Sequence, residues 1–449
     1  MLSHLTQWQY FGMISAFRLL ILAIGLSPVF LVTDSLLIHG VVAAYVALMV
    51  LFVAWSIRPG EAAFLAGIIR PAMIFAFFPA AWIVLQAIPM PFDGLRHPIW
   101  ISAETALGRT LWGSISISPG DTLLALARYF SACGLFFVAA AVTIDRQRAE
   151  VVLLWLAGVT TLLALTLIVH NLGGFVFLGE ISSSGARASM TAAVTLGTVL
   201  TSTTVIYAIE RYETRRSRAD FSRSLFVLMI VTSVGALLLT LIAVALFASR
   251  PALFAALSGV GTFMLIVGFR RIGLGAGLGF LLACIAVAVP LSIIAGSFFV
   301  KTPNISLRFL TDAPKSQIDL TQRMISDTGW AGSGAGTYSA LLPIYQDPSN
   351  SVVAAVAPTT AAGFLIELGR PALWAAIAAA LAAIGWLTHG ALQRGRDSFF
   401  TAAGASCTVI LTLEAFFDAS LSGSTAIVMA MSVLGLAVSQ SVSRTARQL

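Results

Sequence analysis

The residues that offer chemistry gather in one stretch, 301–370. It holds Arg308, Lys315 and Arg323, the carboxylates Asp312, Asp319, Asp327 and Asp347, and the run Gly332-Ser-Gly-Ala-Gly-Thr-Tyr338. It closes on Thr359-Thr360 and on Phe364-Leu-Ile-Glu-Leu-Gly-Arg-Pro371, which contains Glu367. A carboxylate can take a proton from a hydroxyl, and a guanidinium can hold two phosphate oxygens in a planar fork. None of the five histidines (His4, His39, His97, His170, His389) falls in the stretch. A general base there is therefore a carboxylate, with Glu367 first and Asp327 next, or His97 reaching in from another segment. The glycine run looks like a phosphate loop but lacks the Lys-Ser/Thr ending and a preceding strand. It reads better as a tight turn that sets Tyr338 and a following helix. The three cysteines, Cys133, Cys284 and Cys407, lie far apart in apolar runs, and no metal motif appears. Neither a metal nor a cofactor is expected.

The rest of the chain must position this stretch, and its composition says how. Of the 449 residues 58% are hydrophobic and only 10% are charged, with a mean hydropathy of +0.95. Soluble domains carry roughly 25% charged residues. The expected fold is therefore an all-α polytopic membrane protein, because only helices and closed barrels satisfy their backbone in lipid. About twelve apolar runs are long enough to cross: near 13–32, 36–57, 71–89, 121–143, 151–171, 189–209, 225–247, 252–269, 275–300, 372–390, 399–418 and 423–441. The expected organisation is 1–300 for nine spans, 301–371 for one large outer loop with a returning helix, and 372–449 for three spans and a tail. No charged leader precedes the first run, so no cleaved signal peptide is expected.

Net charge is +7. The arginines are not a nucleic-acid stripe, because they recur in alternate connections. Arg58 and Arg70, Arg146 and Arg148, Arg211 to Arg223, Arg270 and Arg271, Arg394 and Arg396, and Arg444 and Arg447 all fall on one side. That side is expected to be the cytoplasm, with both termini in it. The 301–370 loop is then outside. So are 33–35, 90–120 with His97, Trp100 and Trp112, 172–188, 248–251 and 419–422.

Two outer arginines break the pattern. Arg187 lies in Ser182-Ser-Ser-Gly-Ala-Arg-Ala-Ser189 and Arg250 in Phe247-Ala-Ser-Arg-Pro251. Topology does not need them there. Either they anchor to headgroups, or they hold the pyrophosphate of a lipid-linked donor. Arg18 and Arg128 fall inside apolar runs, where charge usually faces the bundle interior, and Glu414 and Asp418 are candidate partners.

These motifs together resemble the O-antigen ligase and polymerase-like membrane proteins of bacterial envelope polysaccharide assembly. Leu85-Gln-Ala-Ile-Pro-Met-Pro91, His97-Pro-Ile-Trp100 and Ser114-Ile-Ser-Ile-Ser-Pro-Gly-Asp-Thr122 resemble that family's first long outer loop. Ser249-Arg250 resembles its Ser-Arg-Gly turn, with Pro251 replacing the glycine. The 332–338 run with Pro343-Ile-Tyr345, then Leu365-Ile-Glu-Leu-Gly369 and Phe417-Asp418-Ala-Ser-Leu421, resemble its large-loop, returning-helix and closing segments.

The resemblance implies metal-independent, inverting glycosyl transfer from an undecaprenyl-pyrophosphate-linked glycan at the outer face of the bacterial inner membrane. Arg187 and Arg250 would bind the pyrophosphate, and Arg308, Arg323 and Tyr338 the glycan or phosphate. Membrane lipids and other polysaccharide-assembly proteins would be partners; nucleic acid would not. Ligases of the family carry a histidine just before the returning helix, where this chain has Pro358. The Arg187 stretch also departs from the family, continuing Ala188-Ser-Met-Thr-Ala-Ala193 instead of an Asn-rich run. Three readings stand at this point: a polymerase using Glu367, Asp327 or Glu180, a ligase with another base, or a non-catalytic relative that binds the lipid-linked glycan. A transporter is the alternative of a different class.

The arginine asymmetry makes a direct prediction. In a background without native cysteines, a cysteine at Ser349 reacts with an impermeant maleimide in intact spheroplasts, and a cysteine at Ser217 does not. The reverse labelling pattern would reverse the topology.

Overall fold

The computed structural model describes residues 2–31, 36–90, 94, 96–173, 184–215, 223–272, 311, 313–346, 356–394 and 397–442. The expected span at 275–300, and with it Cys284 and Arg308, lies outside the described residues. Among those described there is no strand, and ten helices are long and apolar enough to cross a membrane. The protein is an all-α multi-pass membrane protein.

The helices are α1 (Leu2–Leu26), α2 (Leu36–Ser56), α3 (Pro59–Ala87), α4 (Pro98–Leu107), α5 (Pro119–Val142), α6 (Arg146–Asn171), α7 (Ser184–Arg215), α8 (Arg223–Phe247) and α9 (Arg250–Ile272). Beyond the 273–310 segment come three short helices, α10 (Lys315–Asp327), α11 (Tyr338–Tyr345) and α12 (Thr360–Leu368). Two more spans, α13 (Arg370–Gln393) and α14 (Ser398–Phe417), precede the shorter apolar helix α15 (Ser424–Ser439).

Proline sets several helix starts. Pro59, Pro98, Pro119 and Pro371 stand in the first turn of α3, α4, α5 and α13, where the missing N–H removes nothing. Starting at Pro59, α3 is longer than the expected 71–89 run and carries Pro71 and Pro79 inside it. Arg70 therefore lies on the exposed flank of α3, not in a connection. Arg18 is likewise exposed on α1 and does not face the bundle interior. A long aliphatic stem lets such a side chain reach the interface.

The order of burial is the reverse of a soluble protein. The least apolar long spans, α7 and α14, are the most buried. Every residue over 189–204 and over 397–414 is buried. These segments are rich in Thr, Ser, Ala and Gly, and their hydroxyls bond back into the helix. Examples are Thr201 to the Gly197 carbonyl at 2.7 Å and Thr408 to the Gly404 carbonyl at 2.7 Å. Small residues let backbones approach, which is what holds helices together where lipid removes the hydrophobic drive. A Cβ on Gly404 would stand 2.1 Å from Ala437 Cβ, and one on Gly435 would stand 2.6 Å from Ala139 Cβ. Large apolar side chains also face outward, among them Leu37, Leu51 and Trp55 on α2, Phe77 and Phe78 on α3, and Leu228 and Leu246 on α8, while others such as Phe263, Phe399 and Phe400 are fully buried.

The polar contacts sort to the two ends of the bundle. One end carries the arginine connections. There Arg146 pairs with Glu150 at 3.1 Å and with Asp397 at 2.9 Å, Arg270 with Glu210 at 3.1 Å, and Arg211 with Glu150 at 3.9 Å. The other end carries the end of α3, the starts of α5, α7, α9 and α13, and the described part of the 301–370 loop.

The packing predicts an asymmetric response to one methyl group. Overpacking a tight core typically costs 1–3 kcal/mol. Gly404→Ala should lower the thermal-unfolding midpoint in detergent. Gly235→Ala on α8, where a Cβ meets nothing within 4 Å, should leave it in place. Equal midpoints for the two variants would contradict this helix packing.

Candidate functional site

The glycine run forms a clamp. Gly332, Gly334 and Gly336 have φ of 78°, 108° and 75°, and Gly369 opposite has 85°, all in the left-handed region that an added Cβ disfavours. The turn docks backbone to backbone on the junction of α12 and α13. Ser333 N–H donates to the Ile366 carbonyl at 2.9 Å and Gly334 N–H to the Glu367 carbonyl at 2.9 Å. A Cβ on Gly332 would lie 2.4 Å from the Glu367 oxygen, and one on Gly369 2.1 Å from the Trp330 oxygen.

Side chains from α3 and the run before α5 complete the clamp. Gln86 Nε2 donates to the Ala331 carbonyl at 2.8 Å and the Glu367 carbonyl at 3.0 Å, and its Oε1 accepts from Ala335 N–H at 3.2 Å. Trp82 Nε1 donates to the Leu368 carbonyl at 2.9 Å. Ser116 N–H donates to the Gln86 carbonyl at 3.0 Å, and Ile117 N–H to the Ser333 carbonyl at 3.0 Å.

The clamp holds Glu367. Its carboxylate accepts from Tyr338 N–H at 3.2 Å and from Gly336 N–H, and faces the charge of Arg128 on α5. Successive N–H groups in a left-handed turn make an anion cradle. Here the anion is the chain's own. Burial holds the Glu367 carboxyl above its ordinary range, against the two N–H groups and the Arg128 charge. Two acceptor sites of a carboxylate are thereby used and two remain. Among the described residues no ion pair joins Glu367 to Arg370, three residues on, which a surface helix would have favoured.

A small cavity of about 20 Å³ brings His97 and Asp327 together with Tyr345 and Gly332. Asp327 accepts from the Tyr345 hydroxyl and from Ser326 Oγ at 3.2 Å. His97 caps α4, its Nδ1 accepting from Ile99 N–H at 3.3 Å. That bond places the proton of the neutral ring on Nε2, which makes His97 a donor and not the base first expected. Burial pushes the ring's pKa below its ordinary value, so the neutral form is favoured.

Tyr338 is a correction. It is buried with its hydroxyl 3.2 Å from Thr321 Oγ1, inside the packing of α10 and α11, so it has no face for a glycan. Arg323 is exposed on α10, and Arg308 lies outside the described residues.

The second cluster sits across α12. Thr359 caps α12, accepting from Ala362 N–H at 3.1 Å, while Pro358 before it is buried. Thr360 N–H donates to the Asp418 carbonyl at 2.8 Å. Arg187 and Arg250 project from the first turns of α7 and α9, which pack against each other and against α14. Both are exposed, and among the described residues no carboxylate pairs with either. Glu414 and Asp418 do not partner Arg18 or Arg128. Glu414 is buried and accepts from Thr195 Oγ1, and Asp418 Oδ1 accepts from Ser420 N–H at 2.9 Å.

The roles of Gln86 and Trp82, and the Arg128 charge facing Glu367, were not foreseen. Gln86 carried a signal: it is an amide inside an apolar run, and buried polar groups need partners. Among the described residues no group of three or more His, Cys, Asp or Glu could hold a metal ion. Compared with known proteins, the chain matches no family model and no curated protein.

The burial of Glu367 has a pH signature. A carboxyl whose folded pKa is raised binds more protons folded than unfolded, so its contribution to stability falls as pH rises from 4.5 through the folded value. Glu367→Gln removes that dependence. Its unfolding midpoint relative to the wild type should therefore rise as pH is raised from 4.5, in a series of fluorescence melts. A constant difference across pH would mean that the carboxyl is not perturbed.

Proposed function

We propose that this protein transfers a glycan from an undecaprenyl-pyrophosphate-linked donor, with inversion, in a polymerase-like reaction at the outer face of a bacterial inner membrane. The observation that supports the reading is the placement of Arg187 and Arg250 on the starts of two helices that pack against each other. Among the described residues Arg146, Arg148, Arg211 and Arg270 at the arginine-rich end each meet a carboxylate while Arg58 does not, and at the loop end Arg96 pairs with Glu104 at 3.0 Å, whereas Arg187 and Arg250 are exposed with no carboxylate partner on adjacent helix starts. Two fixed guanidiniums suit a pyrophosphate leaving group, which needs charge neutralisation more than a proton.

In this reaction the acceptor hydroxyl attacks the anomeric carbon from the face opposite the pyrophosphate. The new C–O bond forms as the bond to the pyrophosphate oxygen breaks, and the electron pair leaves on the pyrophosphate. The hydroxyl proton passes to a carboxylate. Glu367 is the leading base, since it is oriented by the clamp and its raised pKa increases its basicity; Asp327 is the second. His97 would donate a hydrogen bond to the acceptor. A ligase is less well supported, because the position where the resembled ligases carry a histidine is the buried Pro358 beside the capping Thr359.

The test uses the purified protein in proteoliposomes with a carrier-linked oligosaccharide from the host envelope. Removing a partner from a desolvated charge costs on the order of 2–5 kcal/mol, so Arg187→Ala and Arg250→Ala should each lower the rate by at least about 30-fold. Lysine should restore little, since it lacks the fork. Longer chains left on the carrier identify a polymerase, and chains moved to another acceptor identify a ligase. Carrier binding without transfer identifies a non-catalytic relative. Full activity in both alanine variants removes the pyrophosphate assignment.

A further inference from the structure

The arginine-rich end holds a cavity of about 560 Å³ that the proposed reaction does not use. Its walls come from the start of α3 with Arg58 and Glu61, the turn between α5 and α6 with Asp145 and Arg148, and the turn between α13 and α14 with Arg394 and Asp397. The acids there lie beside cations or N–H groups, although the buried Asp397 Oδ1 makes no hydrogen bond. Asp397 pairs with Arg146 at 2.9 Å. Asp145 accepts from Gln147 N–H at 2.9 Å, capping α6, and lies 3.8 Å from Arg148. Glu61 also has a partner.

The cations are not all engaged. Arg394 Nη2 donates to Gln440 Oε1 at 3.1 Å, and Gln440 is itself fixed by donating to the Thr143 carbonyl at 2.6 Å. Arg394 Nη1 is buried and has no partner. A buried charged donor left unfilled is costly, so the fork is held in place with one prong waiting for an acceptor. Arg58 stands exposed at the rim, with no carboxylate paired to it among the described residues. Burial pushes the Arg394 pKa below its ordinary value; Asp397 acts against that shift and Arg146 with it.

We propose that this cavity binds an organic phosphate, with Arg394 Nη1 as the buried donor and Arg58 as the rim cation. The volume falls in the range of about 300–1,000 Å³ typical of small-molecule pockets, and is far larger than one bare anion needs. A phosphate ester matches both the fork and the volume. The same chemistry reaches this end of a membrane protein in two forms, as a soluble phosphate monoester or as the headgroup of an anionic lipid. The site is independent of the transferase reading, since it lies at the opposite end of the bundle and shares no residue with it.

Glycerol 3-phosphate and phosphatidylglycerol separate the two sources. The full chain is melted in a zwitterionic detergent with rising glycerol 3-phosphate, against glycerol and chloride at matched ionic strength. It is then melted in nanodiscs with and without phosphatidylglycerol. A saturable rise of the midpoint is expected in at least one arm. Arg58→Gln should weaken the half-saturating concentration about tenfold, as expected for one charge-assisted bond. Arg394→Gln should abolish the effect, and Arg109→Gln, at the other end, should leave it unchanged. Should Arg394→Gln fail to fold, Arg58→Gln decides. A rise with glycerol 3-phosphate assigns a soluble ligand, and a rise with phosphatidylglycerol alone assigns a lipid. No rise in either arm, or a rise that Arg58→Gln leaves intact, overturns the proposal.

Discussion

The loop end depends on one backbone-to-backbone contact, the docking of 331–336 on 366–369. It is short because four glycines in the left-handed region allow it, with Gly332 and Gly369 close enough that a Cβ on either would collide with the facing main chain. Once the contact is made, the rest of the end follows. Gln86 can reach both sides of it, which ties α3 to the loop. The 114–118 run pairs with Gln86 and Ser333, which ties α5 to the loop. The N–H groups of Gly336 and Tyr338 then converge on Glu367 and fix the direction of its carboxylate.

Charge is handled differently at the two ends. Among the described residues of the arginine-rich end, Arg146, Arg148, Arg211, Arg270 and Arg394 meet a carboxylate or an amide, and the network joins α5, α6, α7, α9, α14 and α15. At the loop end Glu104 pairs with Arg96 at 3.0 Å, while Glu367 is met by backbone N–H groups, Glu414 by Thr195 and Asp418 by Ser420. Arg187 and Arg250 are left facing outward. Exposed ion pairs add little to stability. The unpaired arginines are thus not a structural loss at that end, and they leave positive charge where an anionic ligand can approach.

Much of the fold was legible in the sequence because lipid imposes it. An apolar run of span length has one outcome, so α2, α5, α8 and α9 lie within a few residues of their expected positions. Helix starts were less legible. Pro59 begins α3 well before the apolar run that marks it, and this carried Arg70 onto the helix. At the site, sequence indicated that the glycine run was a turn and that Glu367 and Asp327 were the carboxylates to examine. It could not indicate what the turn docks on, because Gly334 and Ser116, or Gln86 and Ala331, meet only in three dimensions. Tyr338 misled for the same reason: an aromatic residue after a glycine turn reads as exposed, yet it packs against Thr321.

The short helix α12 separates the two clusters of the loop end. Thr360 at its start is bonded to Asp418, beside the helices that carry Arg187 and Arg250. Glu367 near its end is held in the glycine clamp. At 1.5 Å per residue the two ends lie about 10 Å apart. In the proposed reaction, Arg187 and Arg250 on one side of α12 and Glu367 near its other end would not act on the same atom. They can act on the two sides of one sugar, with the leaving group at the arginines and the acceptor at the carboxylate. Inverting displacement requires this opposition of leaving group and nucleophile. Fixing both ends of α12 through backbone contacts keeps their separation constant, which would give the proposed transfer its positional control.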